Sequence, residues 1–97
     1  MMKPVTTINA KVTTLHGEAY ARRLCRHFAH KIPAAYKGRE AAIEFPFGRC
    51  TISVSDDSMQ FCVELSDPSQ VDRAKRVISD HLLRMANKDK PNVVWAV

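Results

Sequence analysis

The sequence predicts an α+β domain, a two-layer sandwich in which an antiparallel sheet of five or six strands carries two helices on one face, in the order β-α-β-β-β-β-α-β. Three observations predict it. Apolar and polar residues alternate in several short stretches, two longer stretches repeat their apolar residues at a helical period, and the breaks between them fall at Gly, Pro and Asp residues. A chain of 97 residues has room for a single core, because a domain of this size buries only roughly 60 to 65% of its unfolded surface.

The first alternating stretch is residues 8–13, with Ile8, Ala10 and Val12 on one side and Asn9, Lys11 and Thr13 on the other. Thr13, Thr14 and Glu18 then supply capping and early acidity for a helix running to about Lys31, with His16 in its entry turn. At about 100° per residue, Tyr20, Ala21, Leu24, Cys25, Phe28 and Ile32 form its apolar arc. Arg23, His27 and His30 lie along one flank of that arc, and Arg22, Arg26 and Ala29 lie opposite it. Pro33 stops the helix, since proline removes a donor and pushes the preceding residue out of helical geometry.

Ala34, Ala35 and Tyr36 pair with residues 41–45 around a turn at Lys37-Gly38, and Pro46-Phe47-Gly48 makes the next bend. Residues 49–55 and 59–66 alternate strictly on either side of the turn Asp56-Asp57-Ser58. Matching apolar face to apolar face pairs Val54 with Met59, Ile52 with Phe61 and Cys50 with Val63, because a one-residue slip would invert a whole strand. That register puts Cys50 under the helices and Cys62 on the opposite sheet face, which argues against a disulfide between them. Asp67-Pro68-Ser69-Gln70 is a capping-box start for a second helix running to about Asn87, with Val71, Ala74, Ile78, Leu82 and Met85 as its buried stripe and His81 and Arg84 on one flank. Beyond Pro91 a last strand, residues 92–97, puts Val93, Trp95 and Val97 on one face.

A formal net charge of +5 and a pI near 9.4 favour anionic partners. Three cysteines, an odd number, suit reduced, buried thiols and a cytoplasmic setting. No apolar run approaches the roughly 18 residues of a membrane span, and the first residues lack the apolar core of a signal peptide. The outward sheet positions Arg49, Thr51, Ser53, Gln60, Cys62 and Glu64 offer no aromatic ring for base stacking, which argues against a nucleic-acid-binding sheet. Cys25 falls on the core arc, where thiols are inert, so a Cys-His nucleophile pair is not indicated and an enzyme is the weaker reading.

The two helical wheels carry one further inference. Were the helices antiparallel neighbours, equivalent flanks would come together, and Arg23, His27, His30, His81 and Arg84 would either line one groove, the favoured arrangement, or lie on the two outer edges. Such a group suits a small anion, because imidazolium and guanidinium donate to carboxylate or phosphate oxygens. The alternative is a zinc or iron site using His27, His30 and His81, with Cys50 conceivable beside them, although three ligands fall short of a closed structural site and the neighbouring arginines oppose a cation. A third class is a structural or partner-binding subunit, a monomer or a homodimer, using the half-polar sheet face.

At Leu24-Cys25-Arg26-His27-Phe28-Ala29-His30-Lys31, at Phe45-Pro46-Phe47-Gly48-Arg49-Cys50 and at His81-Leu82-Leu83-Arg84, the chain resembles a family of small bacterial proteins catalogued as domain of unknown function 2218. The resemblance runs from about residue 9 to Trp95. Where the family continues after His81 with an aromatic and an arginine-glutamate pair, this chain has Met85 and Lys88-Asp89. The resemblance implies no established activity. It implies a neighbourhood, since members occur near or fused to siderophore-interacting flavin reductases, and hence an accessory role in iron handling with such a reductase as partner.

Overall fold

The computed structural model describes residues 6–86 and 91–96. The elements are β1 (Thr6–Thr13), α1 (Gly17–Phe28), β2 (Ala34–Lys37), β3 (Glu40–Phe45), β4 (Gly48–Val54), β5 (Ser58–Leu65), a 3₁₀ turn (Pro68–Gln70), α2 (Val71–Met85) and β6 (Val93–Ala96). All six strands join one antiparallel sheet in the order β2-β3-β4-β5-β1-β6. The element order and the class are those the sequence predicts, and the strand count settles at six.

The β4–β5 register pairs Val54 with Met59, Ile52 with Phe61 and Cys50 with Val63, as the matching of apolar faces requires. β1 then inserts between β5 and β6, pairing Ile8 with Val63 and Val12 with both Met59 and Val93. The inward positions Ile8, Val12, Ile43, Ile52, Phe61 and Val63 are buried beneath Tyr20 and Leu24 of α1 and Ile78 and Leu82 of α2. Trp95 of β6 donates its indole N–H to Ser79 Oγ of α2 at 2.9 Å, fastening the second helix over that edge of the sheet.

Two glycines answer to space. At Gly48 φ is +156°, and a Cβ would lie 2.0 Å from the Glu64 carbonyl oxygen, so only glycine lets β4 leave the Pro46-Phe47 turn in register with Leu65. At Gly17 a Cβ would come within 2.9 Å of Met59 Cγ and Val54 Cγ1, so glycine lets the first turn of α1 sit directly on the β4–β5 hairpin.

Helix ends depart from the sequence expectation. α1 stops at Phe28 rather than near Lys31: the Lys31 and Ile32 amides both donate to the Phe28 carbonyl, closing residues 29–32 as a turn before Pro33. α2 begins with a 3₁₀ turn in which Asp67 accepts from both the Ser69 amide (3.0 Å) and the Ser69 hydroxyl (2.8 Å), and the helix proper ends at Met85. Asn87, Lys88-Asp89 and Val97, which the sequence reading assigns to the helix end, the family comparison and the last strand, lie outside the described residues.

Candidate functional site

The seam between α1 and α2 collects the polar flanks of both helices. Arg23 Nη1 donates to the Met85 carbonyl at 3.4 Å, and one turn further along α1 the His27 ring lies 5.2 Å, centroid to centroid, from that of His81. Moving from Arg23 to His27 on α1 thus moves from Met85 to His81 on α2, so the helices are antiparallel and their equivalent flanks meet. Arg23 and His27 are exposed, and His81 is half-buried.

His81 Nδ1 lies 2.7 Å from the Val77 carbonyl. A carbonyl only accepts, so that nitrogen carries the proton and Nε2 is left for a ligand. The imidazole is also wedged against Phe28 at 4.8 Å, and Phe28 meets Phe45 edge-on at 4.8 Å. Phe45 in turn stacks on Phe47 at 4.8 Å with the rings 10° apart. An aromatic ladder therefore runs from the exposed seam down to the β3–β4 turn and fixes the position of His81 from below. Sequence reasoning missed this ladder. Its signal was Phe45-Pro46-Phe47, which looks like a bend and is one, yet also delivers two rings to the core edge.

Of the five residues expected in one groove, the structure joins three, namely Arg23, His27 and His81. His30 is exposed in the turn after α1, with no bond or ring contact to the group among the described residues, because the helix that would have carried it along the same flank ends at Phe28. Arg84 is exposed and likewise untied to the seam.

The histidines of the metal reading are spread in the same way. Among the described residues no group of three or more His, Cys, Asp or Glu side chains is gathered closely enough to hold a metal ion, so His27, His30 and His81 do not form a triad. Cys50 is no substitute ligand: it is buried on the inner sheet face, where desolvation pushes its thiol up to about 12. Burial also raises the Cys25 thiol, whose Sγ approaches the Ala35 carbonyl at 3.6 Å. Cys62 is half-buried on the outer face, and all three thiols are free.

Three carboxylates are paired elsewhere. Arg39 bridges Glu18 (2.9 Å) and Asp56 (2.8 Å), and Arg49 pairs with Glu44 at 3.0 Å; among the described residues no ion pair involves Arg23, His27 or His81. Among the described residues the seam thus gathers ring and guanidinium nitrogens without an ion-paired carboxylate, a chemistry that suits an anion better than a cation. The opposite face of the sheet is of another kind. Register lines up Ala35, Ala42, Thr51, Cys62, Asn9 and Ala96 across all six strands. The β5–β1–β6 end of this small-residue trough opens into a depression of about 390 Å³.

These features define a small α+β domain with a basic, histidine-bearing seam between two antiparallel helices. The chain belongs to a family of uncharacterised proteins conserved in bacteria, DUF2218, whose pattern it matches over residues 9–96. It is similar to PA4090 from Pseudomonas aeruginosa, known from an NMR structure, with 26% sequence identity and a TM-score of 0.76 over 93% of this chain and 94% of that one. No curated protein matches the chain. No helix among the described residues is long and apolar enough to cross a membrane.

Proposed function

We propose that this protein is a non-enzymatic binding module whose helix seam holds a small anion through Arg23, His27 and His81. The observation that carries the reading is the meeting of the two imidazoles at 5.2 Å beside a guanidinium, with the His81 ring held at Nδ1 by the Val77 carbonyl and no carboxylate ion-paired with the group among the described residues. Unlike charges would ordinarily be recruited to such a cluster, and here a bound carboxylate or phosphate supplies them. A carboxylate-rich iron chelator is the ligand class that would join the site to iron handling beside a siderophore-interacting reductase in the cytoplasm.

Calorimetric titration of the protein with citrate and with inorganic phosphate tests this. Saturable binding that is lost in His27→Ala/His81→Ala and weakened in Arg23→Ala supports the site; binding unchanged in the double variant rejects it. One observation favours a second reading. With Nδ1 held by a carbonyl, His81 Nε2 presents a lone pair in the way that metal-bound histidines do. Titration of the same proteins with zinc and ferrous iron separates the two, because a histidine-dependent metal affinity that exceeds the anion affinity would put the metal first.

A further inference from the structure

The charge of this molecule is segregated by layer. α1 and the turn after it carry Arg22, Arg23, Arg26 and Lys31 against Glu18, and α2 carries Arg73, Lys75, Arg76 and Arg84 against Asp72 and Asp80. The helix layer therefore holds an excess of five positive charges, as many as the formal net charge of +5 of the whole chain. The sheet and its turns carry the opposite sign, with Lys11, Lys37, Arg39 and Arg49 outnumbered by Glu40, Glu44, Asp56, Asp57, Glu64 and Asp67. Among the described residues none of the helix-layer cations is in an ion pair, whereas Arg39 and Arg49 of the sheet layer both are. Arg22 instead lies over the Tyr36 ring at 5.7 Å, and Arg23 caps the end of α2.

The outer crest of α2 shows what chemistry these free cations await. Helical spacing sets Arg73, Arg76, Asp80, Leu83 and Arg84 together opposite the buried stripe, and all five are exposed, Leu83 to 42%. We propose that this crest is a docking surface for an acidic protein whose carboxylates surround an aliphatic side chain. Arginine outnumbers lysine in the layer, which suits bidentate pairing with carboxylates and is the usual composition of protein interfaces. Asp80 in the middle of the crest would repel a continuous row of phosphates, and Leu83 would face them with nothing to bury against, so a nucleic-acid backbone fits less well. A membrane surface would leave Asp72 and Asp80 against anionic headgroups. The proposal stands apart from the seam, because among the described residues the bonds and ring contacts of His27 and His81 include none of the crest side chains.

Amide chemical-shift mapping of the intact protein tests it with named probes: a short helical peptide of glutamates around leucines, a leucine-free polyglutamate, a short DNA duplex, and phosphatidylcholine–phosphatidylglycerol vesicles. The expected result is that the leucine-bearing acidic peptide binds tightest and moves the amides of α2 from Arg73 to Arg84. Its affinity should fall about tenfold or more in Arg73→Glu/Arg76→Glu, and Leu83→Ser should erase its advantage over polyglutamate. The sheet-face change Lys11→Glu and the seam change His27→Ala/His81→Ala should leave it unchanged, which keeps this test separate from that of the anion site. Tighter binding of the duplex or the vesicles, shifts that miss the crest, or no binding of the acidic peptide would each overturn the proposal.

Discussion

Single residues here act mainly through what their surroundings forbid. Gly48 sits where a Cβ would strike the Glu64 carbonyl at 2.0 Å and where φ is +156°. Gly48→Ala should therefore destabilise the protein by about 2 kcal/mol or more, read as a lower urea midpoint, since strain and a shifted strand add. Cys50 makes a statement about pH. Burial lifts its thiol from 9.0 to about 12, so the folded state keeps a proton that the unfolded state releases. The associated stability is fully present below about pH 9 and is lost as pH rises toward 12. Thiol labelling at neutral pH should accordingly modify Cys62 first and reach Cys50 only when the protein unfolds. Asp67 runs the other way: accepting from the Ser69 amide and hydroxyl holds its carboxyl below the usual range, a contribution present above that range and lost as pH falls through it.

At the scale of elements, the placement of α2 draws on its buried stripe, on hydrogen bonds from Arg23 and Trp95, and on the aromatic ladder. Trp95→Phe keeps most of the packing but removes the bond to Ser79, so it should cost about 1 kcal/mol. Ser79→Ala should cost the same, and the double variant should cost less than their sum; full additivity in a double-mutant cycle would show that the bond contributes nothing. Strand register was legible in the sequence because period-two alternation forbids a one-residue slip and the short turn at Asp56-Asp57-Ser58 leaves little room for a longer one, as Val54 with Met59 shows. Helix ends were less legible. The stop set by Pro33 was read correctly in kind but three residues late, because the last turn before a proline need not be helical, and those residues decided where His30 went. The seam itself was legible as matching flanks on two wheels, whereas the ladder from Phe28 to Phe47 depends on a turn bringing two rings together across strands and leaves no periodic trace.

Across the whole molecule, the two layers divide the labour. The sheet supplies a rigid floor whose outer face is lined by small and polar side chains, and the helices carry the positive charge and the histidines. An anion at the seam makes that division chemically specific. Affinity for an anion there must weaken with salt, because the residues involved are exposed or half-buried. A purely structural seam would show no such dependence. The most direct measurement is to follow the ring proton resonances of His27 and His81 by NMR while adding citrate at constant pH, at about 20 mM and again at about 500 mM salt. Both rings should shift together and saturably at the lower salt, with His16 and His30 unmoved, and the response should weaken at the higher salt. Rings that stay still at both salt concentrations, or four histidines that respond alike, would contradict an anion site at the seam.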